Sequence, residues 1–338
     1  MLSPGAMPNR LASLLFDARG RLRNGWWILG FLALVGLSRL AYRPLHRGLL
    51  GAGVPEAWLE PQAFLFVLGV TWVCTRLRRE PLARVGFGLD RRWFAQLGAG
   101  TAISVAAIAL IAGVLCSVGG VSFALDPARS PGTFAHGLFV FLCAALLEET
   151  LVRGFIFQRL LDGLGFWPAQ AIVALLFAVG HWGNPGMEGA TMVVATLSMV
   201  SGAFLAGLAY VRTRSLALPV GLHLGWNLCQ GQLLGFGVSG FAQAGLLRPS
   251  FGDRPEWLTG GSFGPEASVL ALVVDLVVIV LLWRWRGDAP ATATASTTSA
   301  RSPARTWRAA SWSARPRRPP PGGPCGSPAG PRAARRRR

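Results

Sequence analysis

Two adjacent glutamates and an arginine, Glu148, Glu149 and Arg153, stand inside an apolar run over residues 134–161. A charge at mid-bilayer costs about 3 kcal/mol or more, so three of them within two turns imply a working site. Two further apolar segments each carry a histidine, His181 and His223, out of four in the chain, and Asn227 follows His223 by four positions. Peptide hydrolysis needs an activated water, a polarised carbonyl and a proton for the leaving amine, and carboxylate, imidazole and amide can supply all three.

Helical geometry divides the labour. Glu149 and Arg153, four apart, share a face, while Glu148 points about a quarter turn away. Arg153 is expected to neutralise and orient Glu149, which leaves Glu148 free to face a cavity and take a proton from water. Glu148 and His181 would activate the water and shuttle the proton, and His223 and Asn227 would bind the developing oxyanion. A second scheme makes Glu148, His181 and His223 the ligands of a zinc ion that lowers the pKa of its bound water. No H-E-x-x-H is present, and the sequence leaves both schemes open.

The trio could lie in water if its helix ended near Leu147, but residues 134–147 are too short to span, and Leu151, Val152, Phe155, Ile156 and Phe157 continue the apolar pattern. His223 and Asn227 could be hydrogen-bonding glue between helices. At about 1.5 Å per residue, Glu148 and His181 come to similar depths, roughly 20 Å from their cytoplasmic ends. His223 and Asn227 come to roughly 10 and 16 Å, so convergence asks for tilt or an extended helix start.

The elements that must position these groups are membrane helices. With 52% hydrophobic and 14% charged residues over 338 positions, the composition is that of a polytopic membrane protein. The expected fold is all-α, a bundle of about eight transmembrane helices over residues 25–41, 57–75, 93–116, 133–161, 167–181, 190–211, 216–234 and 267–283. Arginines cluster in the N-terminal lead, in the second connection (Arg76, Arg78, Arg79, Arg84, Arg91, Arg92) and in the sixth (Arg212, Arg214). The positive-inside rule then puts both termini in the cytoplasm.

The chain divides into a basic, interfacial lead (1–24), N-terminal transmembrane helices (25–132), a catalytic core (133–234), an outer loop with the last helix (235–286), and an Arg/Pro/Ala-rich tail expected to be disordered (287–338). The net charge of +18 does not mark a nucleic-acid binder, because eleven arginines lie beyond Gly287 and most others flank apolar segments. The expected partners are the lipid bilayer and a peptide or membrane-protein substrate. Cysteines are scattered without C-x-x-C or metal-ligand spacing. Lysine is absent and Ala, Gly and Pro are abundant, which reads as the codon bias of a GC-rich bacterium, hence a bacterial inner (plasma) membrane. Asp275 sits alone in the apolar last span and is expected to be structural; Ser198, Gly202 and Ala206 form a row suited to helix contact. Residues 235–266 read equally as a shaped entrance or as disorder.

In that order on successive apolar helices, Glu148-Glu149-x-x-x-Arg153, Phe177-x-x-x-His181 and His223-x-x-x-Asn227 resemble the CPBP family of intramembrane proteases. That family groups CAAX prenyl endopeptidases with bacterial bacteriocin-processing and self-immunity proteins, the ABI domain. The resemblance covers about residues 133–234 and extends to Val85-Gly-Phe-Gly-Leu before the third span. It implies an eight-helix intramembrane endopeptidase, commonly called a metalloprotease, with Glu148, Glu149, Arg153, His181, His223 and Asn227 as functional residues. The substrate it implies is a leader-type peptide or a membrane-protein segment. A non-catalytic immunity or partner-binding membrane protein of the same fold is the alternative. A proton-coupled transporter would call for internal repeats that the chain lacks.

Overall fold

The computed structural model describes residues 10–287, and the tail expected to be disordered lies outside them except at its first residue. A short helix α1 (Arg10–Leu15) leads into α2 (Asn24–Gly51), α3 (Pro61–Leu77) and α4 (Arg91–Ser117). A strand β1 (Val121–Leu125) follows, then α5 (Pro131–Glu149), α6 (Phe157–Leu164), α7 (Phe166–Gly180), α8 (Gly189–Thr213) and α9 (Ala217–Asn227). Strand β2 (Leu247–Phe251), α10 (Glu256–Thr259) and α11 (Val269–Arg284) complete the order. Each of the eight apolar segments therefore holds a helix.

Three helices, α2, α4 and α8, are long and apolar enough to cross a membrane; α3 and α7 are apolar but shorter, at 17 and 15 residues. Eight crossings are thus not established by helix length. Physical breaks account for the shortness: α5 and α6 are separated by a π turn over Thr150–Ile156, α9 gives way to a second π turn over Leu228–Leu233, and α7 stops at Gly180. The all-α expectation also needs amending, because β1 and β2 pair antiparallel, Val121 against Phe251 and Leu125 against Leu247. The outer segment 235–266, left open between entrance and disorder, is ordered by this pairing and by α10.

Local sequence explains where the site helices start. Ser130 caps α5 by accepting from the Thr133 N–H, Thr133 returns the bond to the Ser130 N–H, and Pro131 fills the first turn. Asp90 caps α4 through the Trp93 N–H at 2.7 Å. The Val85-Gly86-Phe87 loop docks on the start of α9: the Gly86 carbonyl accepts from the Leu216 N–H and from Trp93 Nε1 at 2.9 Å. Gly86 has φ +104°, and a side chain there would collide with the Leu216 backbone.

Close packing of α4 on α9 sets the position of the seventh apolar segment. Cβ atoms on Gly221 and Gly225 would lie 2.2 and 2.3 Å from the carbonyl oxygens of Leu97 and Thr101, and one on Gly100 would lie 2.6 Å from that of Leu218. Small residues let helix backbones touch. Two residues along a helix turn the side chain to nearly the opposite face, so His223, between the glycines, is turned away from α4. Phe141, Ala145, Val173, Tyr210, Val220 and Leu224 form the core beneath the site. Outward faces stay apolar: Leu29, Leu32, Leu37 and Leu40 on α2, Leu175 and Leu176 on α7, and Val273, Leu276, Val280 and Leu281 on α11 are exposed. This is a lipid-facing belt, and the protein is a membrane protein.

Gly225→Ala forces a Cβ against the Thr101 carbonyl and should cost about 1–3 kcal/mol, as overpacking does. Gly98→Ala, on the open face of α4 with nothing within 4 Å, should leave stability unchanged or slightly raised. Thermal unfolding in detergent checks both.

Candidate active site

Glu148, Glu149, Arg153, His181, His223 and Asn227 all line one cavity of about 560 Å³. At its centre is an ion pair: Arg153 Nη1 donates to Glu149 Oε1 at 2.9 Å, with both side chains 1–2% exposed. His223 Nδ1 lies 3.1 Å from the same oxygen, and Arg153 Nη2 donates to the Ala203 carbonyl of α8 at 3.3 Å. A carboxylate only accepts, so the Nδ1–H of His223 points at Glu149. Its Nε2 remains to face Glu148 Oε2, 3.9 Å away, and it acts there as acceptor when neutral and as donor when protonated. Glu148 itself is half-buried and makes no hydrogen bond to the described residues.

His181 ends α7 as its C-cap. Its Nδ1 sits 2.7 Å from the Phe177 carbonyl, an acceptor, so Nδ1 carries the proton and Nε2 is the nitrogen left for chemistry. Phe177 has a second use. Its ring packs on the His181 ring at 4.6 Å and lies beneath the Arg153 guanidinium at 5.0 Å, a cation–π contact. The Glu149–Arg153 pair and His181 are thereby joined through one aromatic side chain. Asn227 is half-buried, lines the cavity, and its amide has no partner among the described residues.

The zinc scheme draws on Glu148, His181 and His223, all three of which line this cavity. Among the described residues no group of three or more His, Cys, Asp or Glu is arranged to hold a metal ion. Each histidine has its Nδ1 engaged, by Glu149 and by the Phe177 carbonyl, and keeps its Nε2 free, a pattern that metal-bound histidines share.

Other cavity residues depart from the sequence reading. Ser198, Gly202 and Ala206 line the cavity rather than serving only helix contact, and their small size keeps that wall open. Asp275, 4% exposed, accepts from Ser201 Oγ at 2.5 Å and also lines it. Glu266, just before α11, was missed. Burial pushes its carboxyl up, against the Ser239 N–H, Gln230, His181 and His223, which favour its charged form. The only sequence signal for it was a carboxylate at the very edge of an apolar span. Val238, Ser239, Phe241 and Gln243 of the outer segment complete the wall.

Polar groups gathered in a cavity among apolar helices mark a membrane protein with a polar site inside its helix bundle. Residues 130–229 match the family model described as Type II CAAX prenyl endopeptidase Rce1-like, in agreement with the CPBP resemblance. That match takes in all six motif residues. No curated protein and no solved structure gives a significant match.

Breaking the central pair should be expensive. Arg153→Met leaves Glu149 buried without its cation, and a loss of about 3–5 kcal/mol is expected, with part recovered in Glu149→Gln/Arg153→Met. Unfolding midpoints of the purified variants measure this.

Proposed function

We propose that the chain is an intramembrane endopeptidase that hydrolyses peptide bonds of membrane-associated or leader-type peptides with a glutamate-activated water. The observation that carries this reading is the meeting of Glu148, His181, His223 and Asn227 around one cavity, within the segment that matches a CAAX-type protease family. Glu148, without a hydrogen-bonded partner, takes the proton from water as it attacks the carbonyl carbon. Asn227 donates its amide N–H to the oxygen that becomes negative, and His223 joins it whenever Nε2 is protonated. His181, with Nδ1–H pinned to a carbonyl, uses Nε2 to orient the water, then accepts the abstracted proton from Glu148 and delivers it to the leaving amine as the C–N bond breaks. Glu149 and Arg153 touch neither water nor substrate in this scheme; they hold the His223 ring in register.

The cavity wall also supports a substrate of mixed character. Val140, Phe141, Ala144, Met199 and Leu205 offer apolar surface beside the polar groups, which suits an extended peptide with hydrophobic side chains. The arginine distribution supports cytoplasmic termini, and the lysine-free, Ala-, Gly- and Pro-rich composition supports a bacterial inner membrane.

Glu148→Gln and His181→Ala should each abolish cleavage while the protein still inserts and purifies as a monodisperse species. Comparing membrane proteomes of wild-type and Glu148→Gln cells should reveal an uncleaved precursor that accumulates only in the variant. Retained proteolysis in both variants refutes the reading, and an unchanged proteome favours a binding protein instead. Chelator treatment should leave turnover within about twofold of the untreated protein; a larger loss restored by zinc would replace the direct water mechanism with a metal-bound one.

A further inference from the structure

Glu266 belongs to the short turn Pro265–Ala267, outside the matched segment and outside every motif. Its Oε1 receives two hydrogen bonds. One comes from the backbone N–H of Ser239, and the other from Gln230 Nε2 at 3.1 Å. Each donor leads to a residue of the proposed chemistry. The Ser239 carbonyl accepts from Asn184 Nδ2 at 3.0 Å, and the Asn184 N–H donates to the His181 carbonyl at 3.0 Å, closing the turn in which His181 sits. Gln230 lies three residues after Asn227, inside the π turn that follows α9, is fully buried, and also donates to the Gly237 carbonyl at 2.6 Å.

One carboxylate oxygen thus ties the turn that follows α7 to the π turn that follows α9. The glycines there leave no slack: a Cβ on Gly237 would lie 2.3 Å from the Ser262 carbonyl, and one on Gly264 would lie 2.2 Å from the Gly237 carbonyl and 2.6 Å from Gln230 Nε2. Buried backbone donors left without acceptors are costly, so the Ser239 N–H and Gln230 amide hold to Glu266 or relax the loop.

The geometry points to Glu266 as a positioning residue that fixes His181, through Ser239 and Asn184, and Asn227, through Gln230, at the separation the reaction requires. This rests on the endopeptidase reading for its activity test, but the positioning itself can be read without turnover. The bond needs an oxygen acceptor rather than a charge, so a glutamine side chain can serve.

The test uses the full-length protein in nanodiscs, a quenched-fluorescent library of short apolar peptides as the probe, and ¹⁵N-histidine labelling. Glu266→Ala should lower kcat about tenfold or more with KM within about twofold, as misplacement of reacting groups does. It should also shift or broaden the His181 ring signals. Glu266→Gln should restore both, and Asn184→Ala, one link further along, should reproduce the kcat loss. Should Glu266→Ala fail to fold, the Gln and Asn184→Ala variants decide alone. The proposal is overturned if Glu266→Gln is as impaired as Glu266→Ala, if Asn184→Ala or Glu266→Ala behaves as wild type, or if KM carries the effect. If wild type cuts no peptide in the library, the endopeptidase reading fails on this probe, and the His181 signals alone judge the positioning: unchanged in Glu266→Ala, they overturn it.

Discussion

A pair of opposite charges cut off from water must satisfy each other, and nearly everything about the site follows from doing so for Glu149 and Arg153. The two side chains are 1–2% exposed. At that depth an ionic group left alone costs several kcal/mol, and the pair is tolerable only with further hydrogen bonds around it. The His223 ring supplies one on the carboxylate side and the Ala203 carbonyl one on the guanidinium side, the Phe177 face adds a cation–π contact, and Glu149 Oε2 and Arg153 Nε are left without a partner among the described residues. Satisfying the charge thereby recruits α7, α8 and α9, the elements that surround the cavity. A stabilising demand and a positioning device are the same set of contacts.

A second constraint comes from backbone contact. Gly100, Gly221 and Gly225 let α4 and α9 approach until carbonyl oxygens occupy the space where methyl groups would be. With α9 held from behind, its opposite face carries His223 toward Glu148 and Glu149. Gln170 plays a parallel part on α7, donating to the Phe204 and Ala203 carbonyls of α8 over Gly207. Glycine spacing and polar rungs, rather than large apolar side chains, set the distances near the cavity.

Much of this was legible in the chain. Each of the eight apolar runs holds a helix, the fourth split into α5 and α6, because the hydropathy signal is strong over such lengths, and the polar residues inside them were conspicuous for their cost. Other features left weaker traces. The row Ser198, Gly202, Ala206 fits a tight helix contact and an open cavity wall equally well, since both require small side chains. The strand pair joins Val121 to Phe251, 130 positions apart, a relationship carried by no local pattern. Glu266 looked like a loop residue at a membrane boundary, where carboxylates are ordinary. Its bonds to Ser239 and Gln230 exist only once the outer segment folds back.

The π turn at Thr150–Ile156 separates the two ends of one continuous helical rod. Above it, Glu148 and Glu149 address the cavity; below it, Arg159 is 2% exposed and lies against Asp162 at 3.2 Å and Glu80 at 3.8 Å. A wider turn holds one more residue than an α turn would, and each residue of an α-helix is worth about 100° of rotation. The bulge therefore acts as a phase shifter. It sets the upper half of the rod toward the cavity residues while the lower half turns Arg159 toward Glu80 and Asp162, two directions that an unbroken α-helix would offset differently.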